Sequence, residues 1–249
     1  MRKYIPKLMN NLPPLQKYLT CTYDRNLPQS IITFLKRALM IPILYSFRRC
    51  PYAMRARLAI AVSEQKVQLR EIVLKHKPPA LLAISPNKTI PVLQIDQNQV
   101  LIESLEIMVW SFSKQDPERW LTDQLPQMLT LIDSNDYEFK PWLDKYKYAD
   151  RHPEQSEAYY REQAEDFIME LELRLNRQPY LFAEHITLAD IAIFPFIRQF
   201  ASVDKTWFEQ SPYPQVKQWL AGLMGSDLFN ACMKKYPTWL DSGKAVEFP

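Results

Sequence analysis

Apolar positions follow two different patterns in the two parts of this chain. Between residues 41 and 115, short apolar runs typical of β-strands alternate with runs of helical period. The pattern predicts the order strand, helix, strand, short helix, strand, strand, helix, with strands at 41–45, 67–73, 89–95 and 99–102. The first helix begins at Pro51, because proline is favoured at the first helical position. We therefore predict a small α/β domain over residues 41–115.

From about residue 124 the apolar residues recur only with helical spacing. The sequence from Thr187 to Asp190 has the spacing of a capping box, in which the two polar side chains close the start of a helix. Residues 191–197 are apolar on nearly all sides, which is typical of a helix at the centre of a domain. Further amphipathic patterns lie at 159–175, 216–223 and 228–232. We therefore predict an all-helical domain over residues 124–235.

Composition limits the classes of protein to which the chain can belong. Its 249 residues suffice for one or two domains, and 47% hydrophobic with 24% charged residues is typical of a globular protein. No apolar run approaches the roughly 18 residues that a membrane span needs. The chain has three glycines and no glycine-rich phosphate loop, which argues against a P-loop or Rossmann nucleotide site. The net charge of +3 indicates no nucleic-acid partner.

The three cysteines, Cys21, Cys50 and Cys232, lie far apart, and an odd number argues against a disulfide framework. The histidines are isolated and no metal-ligand spacing occurs, so we predict no metal site. This cysteine usage is typical of a reducing cytoplasm.

Residues 1–39 differ in charge from the rest of the chain. They carry seven Lys or Arg residues and one acid, Asp24. The segment has no small-residue cleavage site after an apolar run, so it does not resemble a signal peptide. We predict a basic N-terminal extension with little structure. A natural start at Met40, directly before the first strand, is an alternative.

Cys50 is the strongest candidate for a reactive residue in this sequence. It stands between two arginines, Arg48 and Arg49, and the helix-starting Pro51. Unpaired N–H groups and the positive end of the helix dipole favour a thiolate there. A low pKa and a nucleophilic role are therefore predicted for this thiol. A structural cysteine that happens to precede a helix is the alternative.

Four short motifs occur in an order that resembles a known family. They are Cys50-Pro51-Tyr52, Thr89-Ile90-Pro91-Val92, Glu103-Ser104 and Thr187-Leu188-Ala189-Asp190. Over residues 41–235 the chain resembles a cytosolic glutathione S-transferase, closest to the cysteine-type omega and glutaredoxin-like branch. The resemblance implies a thioredoxin-like α/β N-terminal domain followed by an all-helical domain, a homodimer, and glutathione as cosubstrate.

The resemblance also implies roles for single residues in binding glutathione. A cis Ile90–Pro91 bond, preceded by Thr89, would expose the Ile90 backbone to the cysteinyl part of glutathione. Ser104 would bind the γ-glutamyl carboxylate and Glu103 the ammonium group. For these two residues, ordinary helix capping is the alternative.

Lys77 would lie near the glycyl carboxylate, with a solvated loop lysine as the alternative, and Tyr52 would flank the sulfur. Two departures from the family pattern stand out. Lys88 replaces a usual glycine, and Ala53 replaces the second cysteine of dithiol relatives, which excludes an internal disulfide cycle.

Three functions remain open from the sequence. The first is a glutathione-dependent thiol transferase that exchanges disulfides through Cys50. The second is conjugation of glutathione to an electrophile, with a hydroxyl of Tyr45 or Ser46 holding the glutathione thiolate. The third is a non-catalytic interaction module. The aromatic stretch 137–148 would line the pocket of the second substrate or belong to the core.

Overall fold

The computed structural model describes residues 41–249. The predictions for residues 1–39 and for a start at Met40 lie outside the described residues, as does Cys21. Among residues 41–249, no helix is both long and apolar enough to cross a bilayer.

The first half of the described chain has the predicted α/β order. Its elements are β1 (Ile43–Ser46), α1 (Pro51–Val62), β2 (Val67–Glu71), α2 (Pro79–Ile84), β3 (Val92–Gln94), β4 (Val100–Leu101) and α3 (Ser104–Lys114). The strands are shorter than the apolar runs that predicted them, because the ends of those runs form the adjoining turns and loops.

The second half is helical, as the periodicity predicts. It contains α4 (Leu125–Ser134), a π-helix (Asn135–Phe139), α5 (Lys140–Lys147), a 3-10 turn (Ala149–Arg151), α6 (Glu157–Leu175), α7 (Leu188–Ala201), α8 (Lys205–Gln210), α9 (Pro214–Gly225), α10 (Asp227–Cys232) and α11 (Trp239–Ser242). The α/β part followed by a helical part confirms the predicted fold class. The domain limits at 115 and 124 stay predictions.

A five-stranded mixed sheet forms the core of the first half. Its order is β4-β3-β1-β2-β5, where β5 is Val246–Phe248. β1 pairs with β2 in parallel and with β3 antiparallel, so that Leu44 stands opposite both Leu69 and Leu93. All three leucines are buried, which fixes the register because a slip by one residue would turn them to the other face.

α1 is buried on all sides, although two arginines interrupt its apolar pattern. It packs against α3 and against α7 of the helical part. Arg55 and Arg57 are both fully buried within it. Buried charges need partners, and the partners of these two arginines define the surroundings of the first helix.

The start of α7 has the predicted capping box. Asp190 accepts hydrogen bonds from the Thr187 N–H (2.9 Å) and hydroxyl (2.7 Å), and from the Leu181 N–H and the Trp219 indole (2.9 Å each). The carboxylate is fully buried, so these four donors replace the water that it has lost. The capping box therefore caps the start of α7 and, through Trp219, also links α7 to α9.

Candidate active site

Cys50 lies at the start of α1, in the N-cap position that the sequence predicts. Its backbone is extended (φ −78°, ψ 125°), and Pro51 stands at the first helical position. The Cys50 N–H donates to the Phe47 carbonyl (2.9 Å), and the Met54 N–H donates to the Cys50 carbonyl (2.9 Å). The half-buried thiol is thus held at a helix end that has unpaired N–H groups.

The surroundings of Cys50 raise the pKa of its thiol, so the predicted low pKa is wrong. Burial is the largest cause, because removal of water disfavours the thiolate. The backbone N–H groups of Ala53 and Tyr52 lower the pKa, as do the charges of Lys140 and Arg55. The helix N-terminus therefore acts in the predicted direction but is outweighed by desolvation.

The two arginines before Cys50 do not have the predicted role either. The Arg49 guanidinium lies over the Phe47 ring, 5.4 Å from its centroid. The Arg48 backbone N–H donates to Glu71 (2.7 Å). The cations that favour the thiolate come instead from α1 and α5.

Arg55 is a central residue of the site that the sequence analysis missed. Its guanidinium forms a two-pronged ion pair with Asp136 of the π-helix (2.6 and 2.7 Å). Nε donates to the Ala192 carbonyl (2.6 Å), and Nη1 donates to the Ser104 hydroxyl (3.4 Å). No local pattern could identify this cluster, because Asp136 stands 81 residues away in the chain.

Tyr52 lies beside this cluster. Its ring packs edge-on against Phe196 (4.8 Å between centroids), and the Arg55 guanidinium lies 5.3 Å from its centre. Burial is the main cause that raises the pKa of the Tyr52 hydroxyl, and the nearby Asp136 and Cys50 add to it. Tyr52 thus stays a neutral phenol near the thiol.

Glu103 and Ser104 stand at the start of α3, as predicted. Glu103 occupies the N-cap position, but its side chain makes no capping hydrogen bond. The alternative of ordinary capping is therefore wrong for the Glu103 carboxylate. Burial raises the pKa of Glu103, with further contributions from Glu106 and Asp136. Ser104 is buried and accepts the hydrogen bond from Arg55.

The Ile90–Pro91 peptide bond is cis, as the resemblance implies. Ile90 is half-buried, Thr89 is exposed and Pro91 is buried directly before β3. These three residues therefore form the junction between a surface loop and the sheet.

Lys77 and Lys88 are joined across this loop. The Lys77 ammonium donates to the Lys88 carbonyl (2.7 Å), so Lys77 is more than a freely solvated lysine. Lys88 has a φ of 53°, in the left-handed region that favours glycine. The loop thus keeps a glycine-like conformation at the position where the family usually has glycine.

The two hydroxyl candidates differ from Cys50 in their surroundings. The Tyr45 hydroxyl accepts a hydrogen bond from Arg70 (2.6 Å), and its ring packs edge-on against Trp239 (6.0 Å). Ser46 is fully buried in β1. Neither hydroxyl stands at the helix start that presents the cysteine.

The aromatic stretch 137–148 divides between core and surface. Phe139 and Tyr146 are buried in the main hydrophobic core, whereas Tyr137 is 73% exposed. Arg55 thus contacts both Tyr52 and Ser104, and its charge acts on the Cys50 thiol. Lys88 and the Ile90–Pro91 junction form a second group, and Lys77 donates a hydrogen bond to its Lys88 carbonyl.

The fold and the cysteine at the start of α1 define a thioredoxin-like domain joined to a helical domain. Two family models match the chain: "Glutathione S-transferase, N-terminal domain" over residues 44–120, and "Glutathione S-transferase, C-terminal domain" over residues 127–222. The chain therefore belongs to the glutathione S-transferase family. Its assignment to the omega branch stays a prediction.

One named relative is similar to this chain in sequence, and two solved structures are similar to it in fold. The chain is 26% identical over 201 residues to the Nicotiana tabacum protein named "Probable glutathione S-transferase parA", covering 74% of this chain and 86% of that protein. A Pseudomonas fluorescens family member with two glutathione molecules bound has a TM-score of 0.66 at 18% identity, covering 78% of this chain and 92% of that chain. The Phanerochaete chrysosporium transferase URE2P6, in complex with oxidised glutathione, has a TM-score of 0.67 at 19% identity, covering 78% and 96%.

Proposed function

We propose that the protein is a glutathione-dependent thiol transferase with Cys50 as its nucleophile. The observation that carries the proposal is the position of Cys50 at the start of α1, where two backbone N–H groups bond to the thiol and the charges of Lys140 and Arg55 favour its thiolate. A thiolate formed there attacks a disulfide sulfur directly. Membership of the family supports glutathione as the cosubstrate.

The glutathione-binding residues are proposed from the same resemblance and its local geometry. The Ile90 backbone, flanked by Thr89 and Pro91, would pair with the cysteinyl part of glutathione as an added strand. Lys77, held near this loop by the Lys88 carbonyl, would attract the glycyl carboxylate. Lys77 is thus bonded to the loop that leads to Ile90 and β3.

The γ-glutamyl end would be bound at the start of α3. There the Ser104 hydroxyl and the helix N-terminus favour a carboxylate. The Glu103 carboxylate, which makes no capping bond, remains available for the ammonium group. Tyr52 would flank the sulfur beside Cys50.

The proposed reaction has two exchange steps. The Cys50 thiolate attacks the glutathione sulfur of a mixed disulfide, which forms a Cys50–glutathione disulfide and releases the other thiolate. A second glutathione, as its thiolate, attacks the glutathione sulfur of that intermediate. Oxidised glutathione leaves, the Cys50 thiolate returns, and the released thiolate takes a proton from water.

The raised pKa of Cys50 affects the rates of the two exchange steps in different ways. The free protein holds the thiol form near neutral pH, so deprotonation precedes attack. A thiolate of higher pKa is a stronger nucleophile but a poorer leaving group. We therefore expect the Cys50–glutathione intermediate to persist long enough to be trapped.

The conjugating alternative has less support, because neither of its two hydroxyls is both accessible and unbonded: Ser46 is fully buried. The Tyr45 hydroxyl is already bonded to Arg70, on the side of β1 that faces Trp239. Retention on immobilised glutathione would argue against the third alternative, a non-catalytic module. A homodimer and a cytoplasmic location, both implied by the resemblance, stay predictions.

The deciding experiment measures where glutathione attaches and whether thiol transfer depends on Cys50. Incubation with oxidised glutathione should add glutathione at Cys50, as located by peptide mass analysis. Cys50→Ser should abolish transfer from a glutathione mixed disulfide and retain binding to immobilised glutathione. Cys232→Ala, which alters a buried cysteine, is the matched control and should keep transfer. Full transfer in Cys50→Ser would refute the proposal.

A further inference from the structure

Glu71, at the end of β2, holds the loop that leads to Cys50. One carboxylate oxygen accepts the Arg48 backbone N–H (2.7 Å), two residues before the cysteine. The other oxygen lies 3.4 Å from Nη1 of Arg57, on the helix that Cys50 begins. Glu71 is only 8% exposed, so these contacts replace most of its hydration. One buried carboxylate therefore connects both chain segments that flank the thiol.

Arg57 links Glu71 to the C-terminal tail, by which we mean residues 233–248. Its Nη2 donates to the Lys234 carbonyl (3.5 Å). Its guanidinium lies over the rings of Tyr236 (5.7 Å) and Phe248 (5.4 Å). A cation that is fully buried gains from such aromatic faces because water no longer competes.

The C-terminal tail is itself fastened to β2. Its strand β5 pairs antiparallel with β2, so that Phe248 stands opposite Val67. On the other face of the sheet, Trp239 packs against the Arg70 guanidinium (4.1 Å). The C-terminal tail thus contacts β2, the strand that carries Glu71, along the outer edge of that strand and on both faces of the sheet.

We propose that Glu71 is a positioning residue for Cys50, and that the C-terminal tail keeps Glu71 in place through Arg57. The carboxylate fixes the Arg48 amide, and thereby the turn in which Cys50 bonds to Phe47. The inference deepens the proposed thiol transfer and rests on it. Position matters because misplacing a reacting group by about 1 Å can cost about 100-fold in rate.

The variant Glu71→Gln tests the proposal because it keeps the size of the side chain and removes the charge that holds Arg57. We expect kcat/KM for thiol transfer to fall at least about tenfold, as the loop loses its fixed position. We also expect Cys50 to become more exposed to water. The pH midpoint of its alkylation by iodoacetamide should therefore move down, a readout that needs no glutathione.

Two controls separate positioning from loss of folding. Glu247→Gln removes the same charge from β5, where Glu247 pairs with Lys66 at the surface, and should leave both readouts unchanged. The buried Cys232 should stay unreactive in a folded Glu71→Gln protein, as mass analysis of its peptide will report.

A second variant keeps the test decisive if Glu71→Gln does not fold. Phe248→Leu retains an apolar side chain and removes the ring over Arg57. It should shift both readouts in the same direction by a smaller factor. The inference is overturned if thiol transfer and the alkylation midpoint are both unchanged in a folded Glu71→Gln protein. Where Glu71→Gln does not fold, the same result in Phe248→Leu overturns it. If Cys50→Ser keeps full transfer, the proposed function fails, and the alkylation midpoint of Cys50 in Glu71→Gln still decides whether Glu71 positions the thiol. The two proposals therefore fail on different measurements.

Discussion

Arg55 and Asp136 form a two-pronged ion pair that joins the helix begun by Cys50 to the π-helix of the helical part. The Arg55 side chain has no exposed surface, whereas that of Asp136 is 18% exposed. The π-helix brings this carboxylate to the arginine, in agreement with the frequent occurrence of such helices at functional sites. The site therefore depends on contacts between the two parts of the fold.

Asp136→Asn should destabilise the protein by about 2–3 kcal/mol, because it leaves the buried Arg55 without a counter-charge while keeping one acceptor. Urea denaturation followed by circular dichroism measures this change. Glu170→Gln is the matched control: Glu170 pairs with Arg174 on a partly exposed helix face, and its loss should cost less than about 0.5 kcal/mol. Equal free energies of unfolding for the two variants would show that the Arg55–Asp136 ion pair stabilises the fold no more than an exposed ion pair does.

Thr187→Ala should lower the free energy of unfolding by about 0.5–2 kcal/mol, because it removes the hydroxyl of the α7 capping box. The denaturant midpoint should fall without a change of slope. Thr130→Ala, at an exposed threonine that bonds only within its own helix, serves as the comparison. A midpoint equal to that of the unaltered protein would contradict a capping role for Thr187.

The raised pKa of Cys50 predicts a definite pH dependence. The thiolate fraction in the folded protein should grow only above the pH at which a free cysteine titrates, about 8.5. Alkylation of Cys50 by iodoacetamide should therefore rise with pH, with a midpoint above that of glutathione measured in parallel. The stability contribution of the neutral thiol has the matching sign: it is present below the unfolded pKa and is lost as pH rises through the folded one. A midpoint below pH 8 would instead support the low pKa that the sequence predicts.

Local signals in the sequence predicted much of the fold and part of the site. Cys50 before Pro51, and Thr187 three residues before Asp190, are adjacent in the chain and have recognisable spacing. The burial of Arg55 and Arg57 could not be predicted, because each depends on partners far away in sequence. The pKa of Cys50 was predicted in the wrong direction for the same reason: the helix end is a local feature, whereas burial is set by the whole fold.

Strand β5 was also missed, because Val246–Phe248 is too short for a period to be recognised. Its pairing has a consequence for the behaviour of the protein at high concentration. In the sheet order, β2 would be an edge strand if β5 were absent, and unpaired edge strands invite pairing with other chains. The pairing with Val246–Phe248 covers the outer side of β2 at Val67–Leu69. We therefore expect removal of Val246–Phe248 to expose an edge of the sheet at which chains could pair with one another.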